Sequence, residues 1–77
     1  MKKIQILGPG CDKCVRLYET TQEAINAIGL ECELEKVTDL QQILAYGVMM
    51  TPALVVDGQV KLVGKVPARQ EIEKLLM

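Results

Sequence analysis

The amino-acid sequence predicts an α/β fold in which a four-stranded mixed sheet is flanked by helices. The hydrophobic pattern switches between periods of two and 3.6 along the chain, and glycine or proline stands at most of the switches. Hydrophobic residues make up 49% of the 77 residues, which is enough for one small core. We therefore expect a single domain over residues 1–77, with the order strand, helix, strand, helix, strand, strand, helix.

The first half of the chain is predicted to form a strand, a helix and a second strand. Residues 4–7 are mostly apolar, and the loop of residues 8–10, Gly-Pro-Gly, cannot continue a strand. A helical pattern then begins at Lys13 and runs to Gly29, which is placed as a C-terminal cap. Residues 30–35 alternate between apolar side chains and glutamate, which indicates a half-buried strand. This order predicts a parallel pair of strands joined by a right-handed crossover.

Two further helices are predicted in the second half. Thr38 and Gln41 have the spacing of a capping box, and Gly47 ends the apolar pattern that follows them. Residues 67–77 carry apolar side chains on one helical face, which predicts a closing helix. Both helices are expected to cover a face of the sheet.

A β-hairpin is predicted between these two helices. The runs 53–56 and 60–63 flank Asp57-Gly58, which is typical of a two-residue turn. We expect the third strand to pair antiparallel with the first, so its beginning lies beside the end of the first strand. This pairing would bring Thr51-Pro52 next to Cys11.

Two thiols, Cys11 and Cys14, lie at the predicted junction of the first strand and the first helix. The first turn of a helix has unpaired N–H groups and the positive end of the macrodipole, which favour an anion such as a thiolate. Only the thiolate attacks disulfides or binds metal ions. On a period of 3.6, Cys14 shares a stripe with apolar residues, whereas Cys11 is at the mouth of the helix. We expect Cys11 to be the attacking thiol and Cys14 the resolving one.

Composition and charge exclude several function classes. The net charge is −1, from nine basic and ten acidic residues, and no basic stripe suits nucleic-acid binding. No apolar run is long enough to span a bilayer, and the N-terminus lacks the apolar segment of a signal peptide. Three cysteines do not fit a secreted disulfide framework. We expect a monomer in the cytoplasm that binds neither membrane nor nucleic acid.

The ordered set of motifs resembles the small thioredoxin-like or glutaredoxin-like redox-active disulfide proteins, which have the thioredoxin fold. The set consists of Gly8-Pro9-Gly10-Cys11-Asp12-Lys13-Cys14 after the first strand, Thr51-Pro52 before the third, Asp57-Gly58 in the hairpin, and the closing helix. The resemblance implies that Cys11 is the nucleophile, Cys14 its partner and Pro52 a cis-proline beside them. The backbone of Thr51 would then pair with an extended substrate strand.

The resemblance also implies a function without a separate cofactor. The redox group would be the Cys11–Cys14 disulfide, the substrates would be disulfides of protein partners, and a thioredoxin-reductase-like protein would donate electrons. Gly8, Pro9, Gly10, Asp12 and Lys13 would form the supporting loop. Lys13 favours a thiolate at Cys11 and Asp12 opposes it, which departs from the uncharged pairs found between these cysteines in thioredoxins and glutaredoxins.

A soft-metal carrier for copper or zinc, using the same two thiolates, is the alternative function. Two thiolates fill half of a tetrahedral site, and the chain contains no histidine, so a zinc site would need Cys32 or a second subunit. Cys32 alternates with glutamates in a predicted strand, and we expect it to behave as a small hydrophobe. Heavy-metal-associated domains also have Cys-x-x-Cys after a first strand, but they end in a strand. We therefore predict a thiol-disulfide oxidoreductase with no metal site.

Overall fold

The computed structural model describes residues 2–76. In this range the strands are β1 (Lys2–Leu7), β2 (Cys32–Val37), β3 (Ala53–Val56) and β4 (Gln59–Val63), and the helices are α1 (Asp12–Ile28), α2 (Leu40–Ala45) and α3 (Arg69–Leu76). The α/β order is the predicted one. Met77, which the sequence places in the closing helix, lies outside the described residues, as does Met1.

The four strands form one mixed sheet in the order β2-β1-β3-β4. β1 is parallel to β2 and antiparallel to β3, and β4 pairs antiparallel with β3. Leu7, the last residue of β1, is paired with Val37 on one side and with Ala53 on the other. The loop after β1 and the loop before β3 therefore meet at one edge of the sheet, as predicted.

Both faces of the sheet are covered by helices. α1 and α3 pack on one face, and the buried side chains between them and the sheet are Ile4, Ile6, Leu17, Ala24, Leu54, Val56, Ile72 and Leu76. The other face carries a second cluster, with Leu7, Val37, Ile43, Val48, Ala53 and Val55. β1 and β3 contribute to both clusters, so residues 4–7 of β1 and all of β3 are buried on both faces. No helix of residues 2–76 has the length and apolarity needed to cross a membrane.

Several predicted boundaries of the first βαβ unit are wrong by one or two residues, and β1 begins at Lys2, two residues before the predicted run 4–7. α1 begins at Asp12 rather than Lys13, because Cys11 is the N-cap and its sulfur accepts a helix N–H. β2 spans Cys32–Val37 rather than residues 30–35. The parallel register, which runs from Lys2 opposite Cys32 to Leu7 opposite Val37, sets these limits.

The predicted cap of α2 is also wrong. Asp39, not Thr38, is the N-cap residue, and its Oδ1 accepts the N–H of Gln41 over 2.9 Å. A carboxylate at this position satisfies a helix N–H and also interacts favourably with the positive end of the helix. The hairpin turn, by contrast, is as predicted, with positive φ angles of 51° at Asp57 and 81° at Gly58.

Candidate active site: a dithiol at the first turn of α1

The loop between β1 and α1 presents Cys11 to solvent. Gly10 has a φ of +99°, and Cys11 then has the extended conformation of an N-cap, with φ −70° and ψ 166°. Its Sγ lies 3.3 Å from the backbone nitrogen of Cys14 and accepts that N–H. Its carbonyl accepts the N–H of Val15 over 3.0 Å. An anionic sulfur here would gain a charge-assisted hydrogen bond, so the helix start favours the Cys11 thiolate.

Cys14 lies one helical turn further on and is only 6% exposed. It is disulfide-bonded to Cys11, and the two Cα atoms are 5.0 Å apart. The apolar stripe of α1 points Cys14 toward the sheet, whereas Cys11 lies outside that stripe. A protein disulfide from solution can therefore reach the sulfur of Cys11 but not that of Cys14.

Thr51 and Pro52 lie beside this loop, where the pairing of β1 with β3 places them. Pro52 is buried, Thr51 is half-buried, and the peptide bond between them is cis. The carbonyl of Pro52 accepts the N–H of Gly64 over 2.6 Å. The N–H and C=O of Thr51 make no backbone hydrogen bond within residues 2–76.

The rest of the supporting loop is mostly exposed. Gly8 is buried, whereas Pro9, Gly10, Asp12 and Lys13 are exposed. Neither Asp12 nor Lys13 takes part in an ion pair within the part of the chain that the structure describes. Their opposite charges therefore lie in solvent directly after Cys11, where electrostatic interactions are strongly screened.

A small cavity of about 30 Å³ lies beside Cys14. Lys36 in β2 and Thr38, which follows that strand, line it together with Gly8 and Val15. Gly8 belongs to the predicted supporting loop, whereas Lys36 and Thr38 were not assigned to the site from the sequence. The predicted parallel pairing of β1 and β2 could have placed Lys36 and Thr38 there, because the carboxyl ends of neighbouring parallel strands meet at one edge of a sheet.

Gln5 is a second residue whose environment the sequence did not reveal. It is only 7% exposed, although the alternation of β1 places it among polar residues. Its Oε1 accepts a hydrogen bond of 2.6 Å from the Tyr46 hydroxyl, and its amide nitrogen lies 3.4 Å from Glu35 Oε1. These bonds satisfy the amide, which occupies the β1 face that α2 covers.

Cys32 lies away from the dithiol, at the beginning of β2. It is half-buried and packs against the cluster under α1 and α3, as expected for a small hydrophobe. Burial raises the pKa of its thiol, which disfavours the thiolate. Within residues 2–76, no group of three or more His, Cys, Asp or Glu side chains is placed to hold a metal ion.

The fold and the site together define a class of protein: a thioredoxin-fold protein with a redox-active dithiol at the first turn of α1. The chain belongs to the Thioredoxin domain family, whose model matches residues 2–77. It is 42% identical to a thioredoxin of Methanothermobacter thermautotrophicus over 76 residues, which cover 99% of each chain. It is 37% identical to a thioredoxin of Methanocaldococcus jannaschii over 76 residues, 99% of this chain and 87% of the other.

A third relative, a probable thioredoxin of Methanothermobacter thermautotrophicus, is 33% identical over 68 residues, which cover 84% of this chain and 79% of the relative. The chain is therefore a thiol-disulfide oxidoreductase. The relatives support this function and give no support to the soft-metal carrier considered as its alternative.

Proposed function

We propose that this oxidoreductase reduces disulfides of protein partners, with Cys11 as the attacking thiol and Cys14 as the resolving thiol. The Cys11 thiolate attacks one sulfur of the partner disulfide, forms a mixed disulfide and releases the first partner thiolate. The Cys14 thiolate then attacks Cys11 Sγ, the Cys11–Cys14 bond forms, and the second partner thiolate leaves and takes up a proton. The dithiol loses two electrons and the partner disulfide gains them. The contrast between exposed Cys11 and buried Cys14 carries this assignment.

Thr51 and Pro52 are proposed to dock the partner. The N–H and C=O of Thr51 have no backbone partner within residues 2–76, so an extended segment can pair with them as an added strand. Exposed apolar side chains precede Thr51 in the chain and follow Cys14: Met49 is 92% exposed, Met50 63% and Val15 40%. They offer a surface for the apolar side chains of the bound segment.

Recycling of the oxidised protein completes the proposal. A thioredoxin-reductase-like donor would reduce the Cys11–Cys14 disulfide and so return two electrons to the protein. The protein would act as a monomer. It would work in the cytoplasm, because a dithiol is a reductant where the compartment keeps thiols reduced. No cofactor other than the disulfide is needed for either half of the cycle.

The order of attack is tested by trapping the mixed disulfide. Cys14→Ser removes the resolving thiol, so we expect a stable adduct between Cys11 and a partner or a small disulfide, detected by non-reducing electrophoresis and intact mass. Cys32→Ser is the matched control and should cycle without accumulating an adduct. An adduct that forms equally well in Cys11→Ser, or no adduct in Cys14→Ser, would contradict the assigned roles.

A further inference from the structure

Gly8 is buried directly against the resolving thiol. A Cβ built on Gly8 would overlap Cys14 Sγ, and it would lie 3.0 Å from Cys14 Cβ and 3.9 Å from Thr51 Cβ. Gly8 is also unlike the other glycines of the described chain, all of which have positive φ angles. Its backbone conformation does not require glycine. Glycine is needed here because any side chain would collide with Cys14.

The two sides of this contact are not equally free to move. The preceding residue, Leu7, is fully buried and paired with strands on both sides, and the Gly8 N–H donates to the carbonyl of Val37 over 2.9 Å. Cys14 belongs to the first turn of α1, which follows an exposed loop. A Cβ at position 8 would therefore displace the first turn of α1 and its thiol, and not the end of β1.

We infer that Gly8 positions the resolving thiol: the missing Cβ leaves the space in which Cys14 Sγ lies within bonding reach of Cys11 Sγ. This inference rests on the proposed roles of the two cysteines. Gly8 does not contact the partner disulfide in the first step, so it is a positioning residue for the second. In that step the Cys14 thiolate displaces the partner thiolate from Cys11, and the attacking sulfur must be aligned with the bond that breaks.

The expected consequence is a selective loss of the second step. A displacement of about 1 Å at a reacting atom can lower a rate by about 100-fold. Gly8→Ala should therefore slow attack by Cys14 tenfold or more. Attack by Cys11 on the first disulfide should change less than twofold, because its sulfur is exposed.

The experiment uses an aromatic disulfide, dithiobis(nitrobenzoate), whose released thiolate is coloured. All proteins carry Cys32→Ala, so that only the dithiol reacts. One equivalent is released when Cys11 attacks, and a second when Cys14 resolves the adduct; stopped-flow absorbance gives both rates. Gly29→Ala is the matched control, because Gly29 caps the far end of α1 with a φ of 64° and nothing lies within 4 Å of its added Cβ.

We expect Gly8→Ala to delay only the second equivalent and Gly29→Ala to delay neither, even where both variants lose similar stability. Equal rates of the second release in Gly8→Ala and the parent protein would overturn the inference. A parent protein that releases only one equivalent would instead overturn the proposed roles of the cysteines, and the positioning role with them.

A second variant tests whether a folding defect in Gly8→Ala comes from the same contact with Cys14. Cys14→Gly removes both the sulfur and the Cβ that the added methyl group meets. The double variant Gly8→Ala/Cys14→Gly should therefore recover the stability of Cys14→Gly alone, measured by urea denaturation. A double variant that remains unfolded while Cys14→Gly folds would show that the added Cβ destabilises the protein through a contact other than the one with Cys14. That result would also overturn the inference.

Discussion

At the scale of single residues, most of the buried polar groups have hydrogen-bond partners, but the hydroxyl of Thr21 has none within residues 2–76. Gln5 is buried but bonded to Tyr46, and Cys11 caps the helix on which Cys14 lies. The hydroxyl of Thr21, by contrast, is fully buried in α1 and has no hydrogen-bond partner within residues 2–76. A buried hydroxyl without a partner costs free energy that a methyl group does not.

Thr21→Val should therefore stabilise the protein by about 1 kcal/mol, because valine has the same shape and no unpaired hydroxyl. The free energy of unfolding in urea measures this effect. Thr20→Val is the matched control: the Thr20 hydroxyl donates to the carbonyl of Arg16 over 2.8 Å and is partly exposed, so no gain is expected. A loss of stability in Thr21→Val would show that the hydroxyl is satisfied in solution.

The thiol of Cys32 should react slowly in the folded protein. Burial raises its pKa, so a smaller fraction is thiolate near neutral pH than in the unfolded chain. In a Cys11→Ser/Cys14→Ser background, alkylation by iodoacetamide should be slower in buffer than in urea. Equal rates in the two conditions would contradict the prediction.

The same pKa shift makes stability depend on pH in a defined direction. The unfolded Cys32 thiol loses its proton at lower pH than the folded one, so the free energy of unfolding should fall as pH rises through and above the ordinary range for thiols. The contribution is fully present below that range. Cys32→Ala in the same background should remove this part of the alkaline decline.

At the scale of elements, the short helix α2 depends on its cap. A helix of six residues has few internal hydrogen bonds, so satisfying its first N–H groups matters more than in a long helix. Asp39 provides this cap through its bond to the Gln41 N–H. α2 in turn covers the sheet face that contains Leu7 and Ala53, the residues next to the two loops of the site.

Asp39→Ala should destabilise the protein by about 1 kcal/mol, whereas Thr38→Ala should cost no more than a few tenths. The difference distinguishes the observed cap from the one that the spacing of Thr38 and Gln41 suggests. Urea denaturation with both variants measured side by side provides the comparison. Equal losses in the two variants would show that Thr38 shares the capping role.

At the scale of the whole molecule, stability comes from two thin apolar layers on either side of one sheet. Ile72 is fully buried in the layer under α1 and α3. A domain of this length is typically stable by about 4–12 kcal/mol, and removing most of a buried isoleucine costs about 2–5 kcal/mol. One such change therefore removes a large part of the total.

Ile72→Ala should accordingly lower the free energy of unfolding by about 3 kcal/mol. Leu44→Ala is the matched control, because Leu44 is 57% exposed on α2 and its truncation should cost about 0.5 kcal/mol or less. Thermal and urea denaturation of the reduced proteins provide the measurement. Similar losses in the two variants would mean that Leu44 is covered in solution.

The order of elements, the hairpin turn and the position of the dithiol at a strand–helix junction could be predicted from the sequence alone. These features depend on hydrophobic periodicity, on Asp57-Gly58 and on the spacing of Cys11 and Cys14, all of which act between near neighbours in the chain. The antiparallel pairing that brings Thr51-Pro52 to the thiols also followed from topology.

Only the tertiary structure decided the bounds of β2, the burial of Gln5, the residues at and after the end of β2 that line the cavity beside Cys14, and the contact between Gly8 and the Cys14 sulfur. Each of these depends on strand register or on which face a helix covers, and both are set by contacts between residues distant in sequence. Local pattern placed the two thiols and predicted which of them faces the core; packing across the sheet determined what surrounds the buried one.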